Sequence, residues 1–410
     1  MYTIAKSSAV SASHIVDGLP PVHPCGRLLR RHLKSLPKIF VTGTSGFLGS
    51  HFLCWAQDIG RPNAIVLIRG SDPATRKEKL IRTLTTALRS YETWSFDVLP
   101  KLVIVGGDVD QLCCGLAEGQ IAKLAAAGVD EFWHFAASLQ FAASERETTF
   151  ARNVRGAENA VRLAAALGAE RFIYVSTSYS VGAVEGLAHE ALHDLSRPFC
   201  NPYEESKCSA EHAVVKLAAD YDLAVTIFRP SIVIGPGTTK RTGGSRTGLY
   251  GLLSGLARSR NLLRKYASIQ MPCRPEIEIN LIPVDCVMRD IKEIVANDFG
   301  QNTIYHLCAA RGPSVSDTLC AIWTQLNIDN VKLVPLSDPP SPIVNMMPQG
   351  IQSFYPYVRL DRRFMRSYSH DWALTSQEVA LFVARAHCET VSSAKEELNQ
   401  PAGDLEVTTT

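Results

Sequence analysis

Between Lys38 and Pro230, short apolar runs alternate with helix-length segments, and this alternation limits the possible folds more than any other feature of the chain. Six runs have strand length and are continuously apolar, which is typical of strands buried on both faces of a sheet. They are KIFVT (38–42), AIVLIR (64–69), LVIVG (102–106), EFWHFA (131–136), RFIYVS (171–176) and AVTIFR (224–229). The pattern predicts an α/β fold of the Rossmann type, in which a doubly wound parallel sheet has right-handed crossovers.

The regular alternation ends after Pro230, where a loop rich in glycine, threonine and basic residues follows. Two later apolar runs indicate a return of the chain to the sheet. We therefore expect a smaller, interleaved C-terminal substrate-binding subdomain beside the Rossmann domain. The predicted organisation is an N-terminal extension (1–37), a Rossmann domain (38–235, with 277–310 returning to its sheet), the subdomain (236–276 and 311–390) and a disordered tail (391–410).

The composition restricts the possible partners. The 410 residues carry a formal net charge of only +2, so bulk charge does not favour a nucleic-acid partner. The sequence contains no apolar run long enough to cross a bilayer. Eleven cysteines are scattered without a C-x-x-C pair, which argues against a disulfide framework or a metal site. We expect a cytoplasmic protein without a metal, and the sequence leaves its oligomeric state open.

Three glycines, Gly43, Gly46 and Gly49, stand between the first predicted strand and a predicted helix. The spacing G-x-x-G-x-x-G permits a tight turn and the close approach of a pyrophosphate, which the helix N-terminus then stabilises. Gly49 is also explained by packing of the helix on the strand. The turn predicts a dinucleotide cofactor, held by Gly43, Thr44, Ser45, Gly46, Phe47 and Leu48.

The end of the second predicted strand indicates which dinucleotide binds. An NAD site usually has an acid there, for the ribose 2′-hydroxyl, whereas this strand ends in Arg69. A guanidinium suits a 2′-phosphate by charge and by its forked donors, so we expect NADPH, with NADH less favoured. Lys79 on the next helix is expected to assist, although a solvated basic helix face explains it as well. Asp108 in GGDV is expected to hold the adenine.

A tyrosine and a lysine four residues apart, Tyr203 and Lys207, share one face of a predicted helix. A nearby ammonium favours the phenolate, so such a tyrosine can exchange protons near neutral pH, and the lysine can also hold the nicotinamide ribose. The hydroxyl-rich strand end YVSTSYSVG precedes this pair. A hydroxyl there can bind a carbonyl, although strand-end hydroxyls are also common turn formers.

These motifs occur in an order that resembles the extended and atypical short-chain dehydrogenase/reductase superfamily, over about Lys38 to Ala310. The resemblance rests on TGTSGFLG, HFAA, ARNV, YVSTSYSVG, YEESK and FRPSIVIG. It implies that Thr177, Tyr203 and Lys207 are catalytic, with Ser176 and Ser178 as open alternatives to Thr177. It further implies cofactor-site roles for Ala136, Asn153 and Pro230, with Asn153 supporting the active site.

Within that superfamily, the segments VLIRGSDPATRKEKLIRTL, FWHFAASLQF, GGSRTG and INLIPVD resemble the thioester reductases, including carboxylic acid reductases and fatty acyl-CoA reductases. The resemblance implies NADPH-dependent reduction of an acyl thioester, bound to CoA or to a carrier protein, giving an aldehyde or alcohol. Lys240, Arg241 and Arg246 in the basic loop are then expected to meet substrate phosphates, unless the loop is only flexible and solvated.

Two other functions remain open from the sequence. The same fold serves dehydrogenases of ketones and alcohols and epimerases of sugar nucleotides. It also serves cofactor-sensing or structural proteins, because a fold does not fix a function. The presence of Thr177, Tyr203 and Lys207 together favours an enzyme.

Overall fold

The computed structural model describes residues 37–92, 94–299, 303–368, 370–396 and 408–409. The strands are β1 (Lys38–Thr42), β2 (Asn63–Ile68), β3 (Lys101–Gly106), β4 (Glu131–His134), β5 (Arg171–Val175), β6 (Gly186–Ala188), β7 (Ala224–Pro230), β8 (Ile232–Ile234), β9 (Ile269–Pro272), β10 (Leu281–Pro283), β11 (Ile304–Leu307), β12 (Val331–Val334), β13 (Arg362–Phe364) and β14 (Thr408–Thr409). The helices are α1 (Phe47–Trp55), α2 (Pro73–Arg89), α3 (Glu118–Ala127), α4 (Arg146–Phe150), α5 (Gly156–Ala166), α6 (Pro202–Asp220), α7 (Gly248–Leu263), α8 (Val284–Ala296), α9 (Val315–Leu326), α10 (Pro342–Asn345), α11 (Gln349–Gln352) and α12 (Ser376–Glu396).

The main sheet has eight strands in the order β11-β7-β5-β4-β1-β2-β3-β14, and its strand pairs are parallel. Reversal of strand order between β1 and β4 is the mark of a doubly wound Rossmann sheet. The predicted α/β fold class is therefore confirmed. The six strands expected from apolar runs all form, and their bounds differ from the predicted ones by no more than two residues.

Two hydrophobic cores cover the two faces of this sheet. In β1, the side chains of Ile39 and Val41 pack into the core below α1, α2 and α8, while Phe40 packs into the core below α5 and α6. Adjacent residues of a strand point to opposite faces, so a strand covered on both sides has to be apolar throughout. This packing explains why the runs in the sequence are continuous rather than alternating.

Side-chain caps set where the site-bearing helices begin. Asn201 Oδ1 accepts a hydrogen bond from the Glu204 amide at 2.9 Å, and Pro202 occupies the first helical position of α6. Such an N-cap stabilises a helix by about 1 kcal/mol. Asp72 caps α2 in the same way, by accepting from Thr75 N at 2.9 Å. These caps fix the start of the helices that carry Tyr203 and Lys79.

A third core draws on residues between Ile234 and Ala386, mainly from α7, α9 and α12. Most of this stretch was assigned from the sequence to the substrate-binding subdomain, and that assignment stays a prediction. Among the described residues of the segment 277–310, β11 joins the main sheet, whereas β10 pairs with β8 in a separate two-stranded ribbon. An apolar run indicates a buried strand but not which neighbour it pairs with.

The predictions for the two ends fall largely outside the described residues. Of the extension 1–37, the structure describes Pro37 alone. The expected disordered tail 391–410 begins inside α12, which continues to Glu396 because its Ala, Lys and Glu residues favour helix. Residues 408–409 pair with β3.

Candidate active site

The predicted site residues follow strands of the main sheet at its carboxyl edge, where ligands of doubly wound sheets bind. Two adjoining clefts open along this edge and share the glycine turn after β1. The first, here called the nucleotide cleft, is lined by Gly43, Ser45, Gly46, Arg69, Lys79, Asp108 and Ala136, among others. The second, here called the catalytic cleft, is lined by Gly46, Phe47, Leu48, Ser176, Thr177, Tyr203, Lys207 and Pro230, among others.

The glycine turn has no room for side chains. Gly43 has a φ of +76°, and a Cβ there would lie 2.4 Å from the backbone nitrogen of Ala136. A Cβ on Gly49 would lie 2.4 Å from the carbonyl oxygen of Gly43, which confirms its packing role. Helix α1 begins at Phe47, and its N-cap Gly46 supplies no side-chain cap. A bare helix N-terminus between the two clefts fits the pyrophosphate of a dinucleotide.

Cationic side chains lie at the far end of the nucleotide cleft. The exposed Arg69 guanidinium is 3.5 Å from Asp108 Oδ2, and Lys79 Nζ donates to the Arg69 carbonyl at 3.4 Å. Arg76, in the first turn of α2, lies over Gly106 and donates to Gly70 O at 3.1 Å. A Cβ on Gly106 would come within 2.7 Å of that guanidinium. Arg69 and Arg76 thus line one opening beyond the ends of β2 and β3.

Lys207 is fully buried at the floor of the catalytic cleft. Its Nζ donates to the carbonyl oxygen of Val175 at 2.7 Å and lies 4.1 Å from the centre of the Tyr174 ring. Burial lowers the pKa of Lys207 to about 7, and the negative charge of Glu211 opposes that shift. Glu211 itself pairs with the buried Arg229, whose Nε donates to it at 2.9 Å. Lys207 is therefore held in place by the backbone of β5.

Tyr203 and Thr177 face one another across the same cleft. Burial raises the pKa of the Tyr203 phenol, while a hydrogen bond with the Thr177 hydroxyl opposes that rise. Thr177 is buried and its Oγ1 also caps the short helical turn that follows, by accepting from Tyr179 N at 3.3 Å. The ring of Phe141 meets the Tyr203 ring edge-on, with centroids 5.6 Å apart. Both hydroxyls therefore lie in the cleft that Lys207 also lines.

Asn153 connects two segments of the chain near the catalytic cleft by hydrogen bonds. Its Oδ1 accepts from Ser138 N at 2.7 Å, and its Nδ2 donates to Ser138 O and to Ser206 Oγ. The residue lies in a π-helical turn, Ala151–Arg155, a distortion that recurs at functional sites. The side chain thereby ties the segment after β4 to α6, next to Lys207.

Two residues that were expected at the cofactor, Thr44 and Asn153, do not line either cleft. The side chains of both are buried. Ser178 is fully buried outside the catalytic cleft, whereas Ser176 lines it. Strand spacing locates a turn but does not say which of its side chains faces inward.

The structure adds residues that the sequence did not single out. Arg152 lines the nucleotide cleft and its Nε is 3.5 Å from Asp110. Phe354 and Tyr357 line the catalytic cleft from the C-terminal part of the chain. Phe354 and Tyr357 belong to the aromatic segment SFYPYV (353–358), which could have drawn attention to them. No pattern near that segment in the sequence connects it with Tyr203.

The basic loop after β8 has partners other than a substrate. Lys240 Nζ pairs with Glu378 at 2.9 Å, and Arg241 lies 3.5 Å from Glu92. Glu389 accepts from both the amide and the hydroxyl of Thr242. Lys240 and Arg241 thus have carboxylate partners within the protein, and the expectation that these two residues and Arg246 meet substrate phosphates stays a prediction. The loop reaches the catalytic cleft further on, at Thr247 and Gly248.

The fold and these clefts define an oxidoreductase of the extended short-chain dehydrogenase/reductase superfamily, of the thioester reductase-like type. Residues 41–291 match the model of an NAD-binding family described as male sterility protein, and the chain belongs to that family. A nicotinamide dinucleotide is accordingly the cofactor, and the glycine turn fits it.

Curated relatives are much longer than this chain. It is 28% identical to a linear gramicidin synthase protein of Brevibacillus parabrevis over 291 residues, which cover 69% of this chain and 5% of that protein. It is 27% identical to the L-2-aminoadipate reductase large subunit of Penicillium chrysogenum over 297 residues, covering 68% of this chain and 20% of that protein.

A solved structure has the same fold. The terminal R domain from the myxalamid PKS-NRPS biosynthetic pathway superposes with a TM-score of 0.66 at 21% identity, covering 89% of this chain and 93% of that one.

Among the described residues, no helix combines the length and apolar character needed to span a membrane.

Proposed function

We propose that this protein is an NADPH-dependent reductase of acyl thioesters, attached to CoA or to a carrier protein. The observation that carries the proposal is the meeting of Thr177, Tyr203 and Lys207 in one cleft that begins at Gly46. Its relatives include an aminoadipate reductase and a gramicidin synthase, which supports a reductase acting on an activated acyl group.

NADPH is proposed over NADH because of the charges at the adenosine end. Arg69, Arg76 and Lys79 converge beyond β2, where an NAD-binding sheet usually carries an acid. Charge-assisted hydrogen bonds from guanidinium to phosphate are stronger than neutral ones. When bound, the cofactor supplies a hydride to the substrate carbonyl carbon.

The proposed chemistry depends on two hydroxyls and one ammonium. The hydroxyls of Thr177 and Tyr203 donate to the thioester carbonyl oxygen and stabilise its developing negative charge. Tyr203 gives its proton to that oxygen, and the resulting hemithioacetal expels the thiol to leave an aldehyde. Lys207 has three donors, of which one binds Val175 O, so two are left for the ribose and for the phenol.

The walls of the catalytic cleft favour an acyl substrate over a sugar nucleotide. Large apolar side chains form part of its lining, namely those of Phe47, Leu139, Phe141 and Phe354. Burying sugar hydroxyls against such walls without partners costs free energy, whereas an acyl chain gains from the contact. A ketone or alcohol dehydrogenase would use the same three catalytic groups, so only the substrate distinguishes that activity from thioester reduction.

The test is an assay of the purified chain with NADPH and an acyl-pantetheine or acyl-CoA thioester, following cofactor absorbance, released thiol and aldehyde together. Equal amounts of oxidised cofactor, thiol and aldehyde are expected, with a second equivalent of NADPH if the alcohol forms. Turnover of simple ketones or of UDP-glucose without any thioester reduction would refute the proposal.

A further inference from the structure

An apolar cavity lies inside the third core, behind the catalytic cleft. It has a volume of about 30 Å³, and its walls come from α7, α9 and the segment 342–358. The lining includes Leu256, Leu319, Val331, Val344, Met347 and Ile351. A cavity with only apolar walls stays dry, so its filling by a hydrocarbon is favourable.

Phe354 forms the partition between this cavity and the catalytic cleft. It lines both spaces and is itself only half-buried. Its ring lies 6.1 Å from that of Tyr357, which also lines the catalytic cleft. The Tyr357 hydroxyl donates to Glu204 Oε1 at 3.0 Å, and Glu204 is the neighbour of Tyr203. Rotation of the Phe354 ring would join the cavity to the cleft that holds the catalytic hydroxyls.

The segment of α10 and α11, residues 342–352, covers the cavity. Hydrogen bonds within this segment link its two helices, since Gln352 Nε2 donates to the carbonyls of Asn345 at 2.9 Å and Met347 at 2.7 Å. The cover is tied to β9 at Ser341, which accepts from the amide of Gln270. Methionine side chains line the cavity on both sides, at Met271 and Met347, and such unbranched side chains adapt to the shape of a ligand.

We propose that this cavity receives the distal, hydrocarbon end of the substrate's acyl chain, with Phe354 as the residue that controls access. The inference rests on the proposed function, because it places the thioester carbonyl at Thr177 and Tyr203. The substrate class is then an acyl thioester with an unbranched apolar chain. A charged chain end would lose its water there without gaining a partner of opposite charge, because the residues that line the cavity carry no charge.

The experiment measures kcat/KM with NADPH for a series of saturated acyl-pantetheine thioesters, from acetyl to decanoyl. We expect kcat/KM to rise about threefold to fourfold for each methylene that enters the cavity, and then to level off. Leu319→Phe fills the cavity from α9 and should remove the rise for the longest chains. Ile322→Phe is the matched control, because Ile322 is equally buried on α9 but does not line the cavity.

Phe354→Ala provides a second variant that does not depend on overpacking. It should increase the ratio of kcat/KM for decanoyl over acetyl thioester by about tenfold, since the partition is removed. A flat chain-length series in the wild type, or the same ratio in all four proteins, overturns the cavity assignment and leaves thioester reduction intact. Failure to reduce any thioester overturns the proposed function itself.

Discussion

Glu204 and Arg362 form a buried ion pair, with 3.1 Å between Oε1 and Nη1, although 158 residues separate them in the sequence. Both side chains are almost fully inaccessible to solvent. The Arg362 guanidinium also lies 4.5 Å above the ring of Tyr179 and 4.8 Å above that of Tyr357. The pair thus joins the first turn of α6, which carries Tyr203, to strand β13 near the end of the chain.

Arg362→Ala should lower the free energy of unfolding by about 3–5 kcal/mol, because it leaves the Glu204 carboxylate buried without its cation. The matched control is Arg274→Ala, since Arg274 pairs with Glu185 at a partly exposed position. That change should cost no more than about 1 kcal/mol. Urea denaturation measures both values, and equal losses would contradict the special role given to the Glu204 pair.

Arg69→Ala should weaken NADPH binding while leaving NADH binding nearly unchanged. The loss of a charge-assisted contact to the 2′-phosphate corresponds to about 1.5–3 kcal/mol. The exposed Arg82, on α2 but away from both clefts, provides the control Arg82→Ala. Fluorescence titration of each protein with both cofactors gives the comparison. A wild type that binds NADH as tightly as NADPH would rule out the cofactor assignment.

Tyr203→Phe should reduce kcat by about 10²–10⁴ and leave NADPH binding nearly intact, because the phenol supplies a proton and little binding energy. Thr177→Val should have a similar effect. Ser178→Ala serves as the control, since Ser178 is buried outside the cleft. Steady-state kinetics with a thioester separate these cases. If the Ser178 variant is more impaired than the Thr177 variant, the residue that contacts the substrate carbonyl is Ser178 and not Thr177.

The affinity for NADPH should decrease as the pH rises through about 7. Burial places the pKa of Lys207 near that value, so the side chain is a cation below it and neutral above it. The neutral amine binds the ribose less strongly and no longer favours the Tyr203 phenolate. Lys207→Met should bind NADPH weakly and with no change between pH 7 and 9. A wild-type affinity that is constant over this range would exclude the shifted pKa.

The lowered pKa of Lys207 also predicts that the free energy of unfolding changes with pH, in the direction opposite to the change in NADPH affinity. Between pH 7 and about 10.5 an unfolded lysine is protonated, whereas the folded Lys207 is not. The unfolded state therefore binds more protons, and the free energy of unfolding should rise with pH in this window. The difference between wild type and Lys207→Met in urea denaturation isolates this contribution from the other groups. A difference that stays constant with pH would contradict it.

Two glycines with similar φ values allow the free-energy cost of steric crowding to be measured apart from the cost of backbone strain. Gly43 has a φ of +76° and Gly60 a φ of +79°, but a Cβ at Gly60 would meet no atom within 4 Å. Gly60→Ala should therefore cost only the strain, about 1–2 kcal/mol. Gly43→Ala should cost more than about 3 kcal/mol, because its Cβ collides with the backbone of Ala136. Thermal unfolding compares the two, and equal losses would mean that the turn is not crowded.

The amino-acid sequence alone located six strands of the main sheet to within two residues, as well as the glycine turn at Gly43. These features follow from local patterns, because a strand buried on both faces is apolar throughout and a crowded turn excludes side chains. The sequence also singled out Thr177, Tyr203 and Lys207, which the structure brings into one cleft.

The tertiary structure decided what faces that cleft from distant parts of the chain. Nothing near Phe354 or Arg362 in the sequence indicates that the first lines the same cleft as Tyr203 and that the second pairs with Glu204. The ion pair between Lys240 of the basic loop and Glu378 is likewise not indicated by the sequence, because 138 residues separate the two. Hydrophobic periodicity specifies which side of an element is buried, but contacts between side chains more than a hundred residues apart depend on how those elements pack.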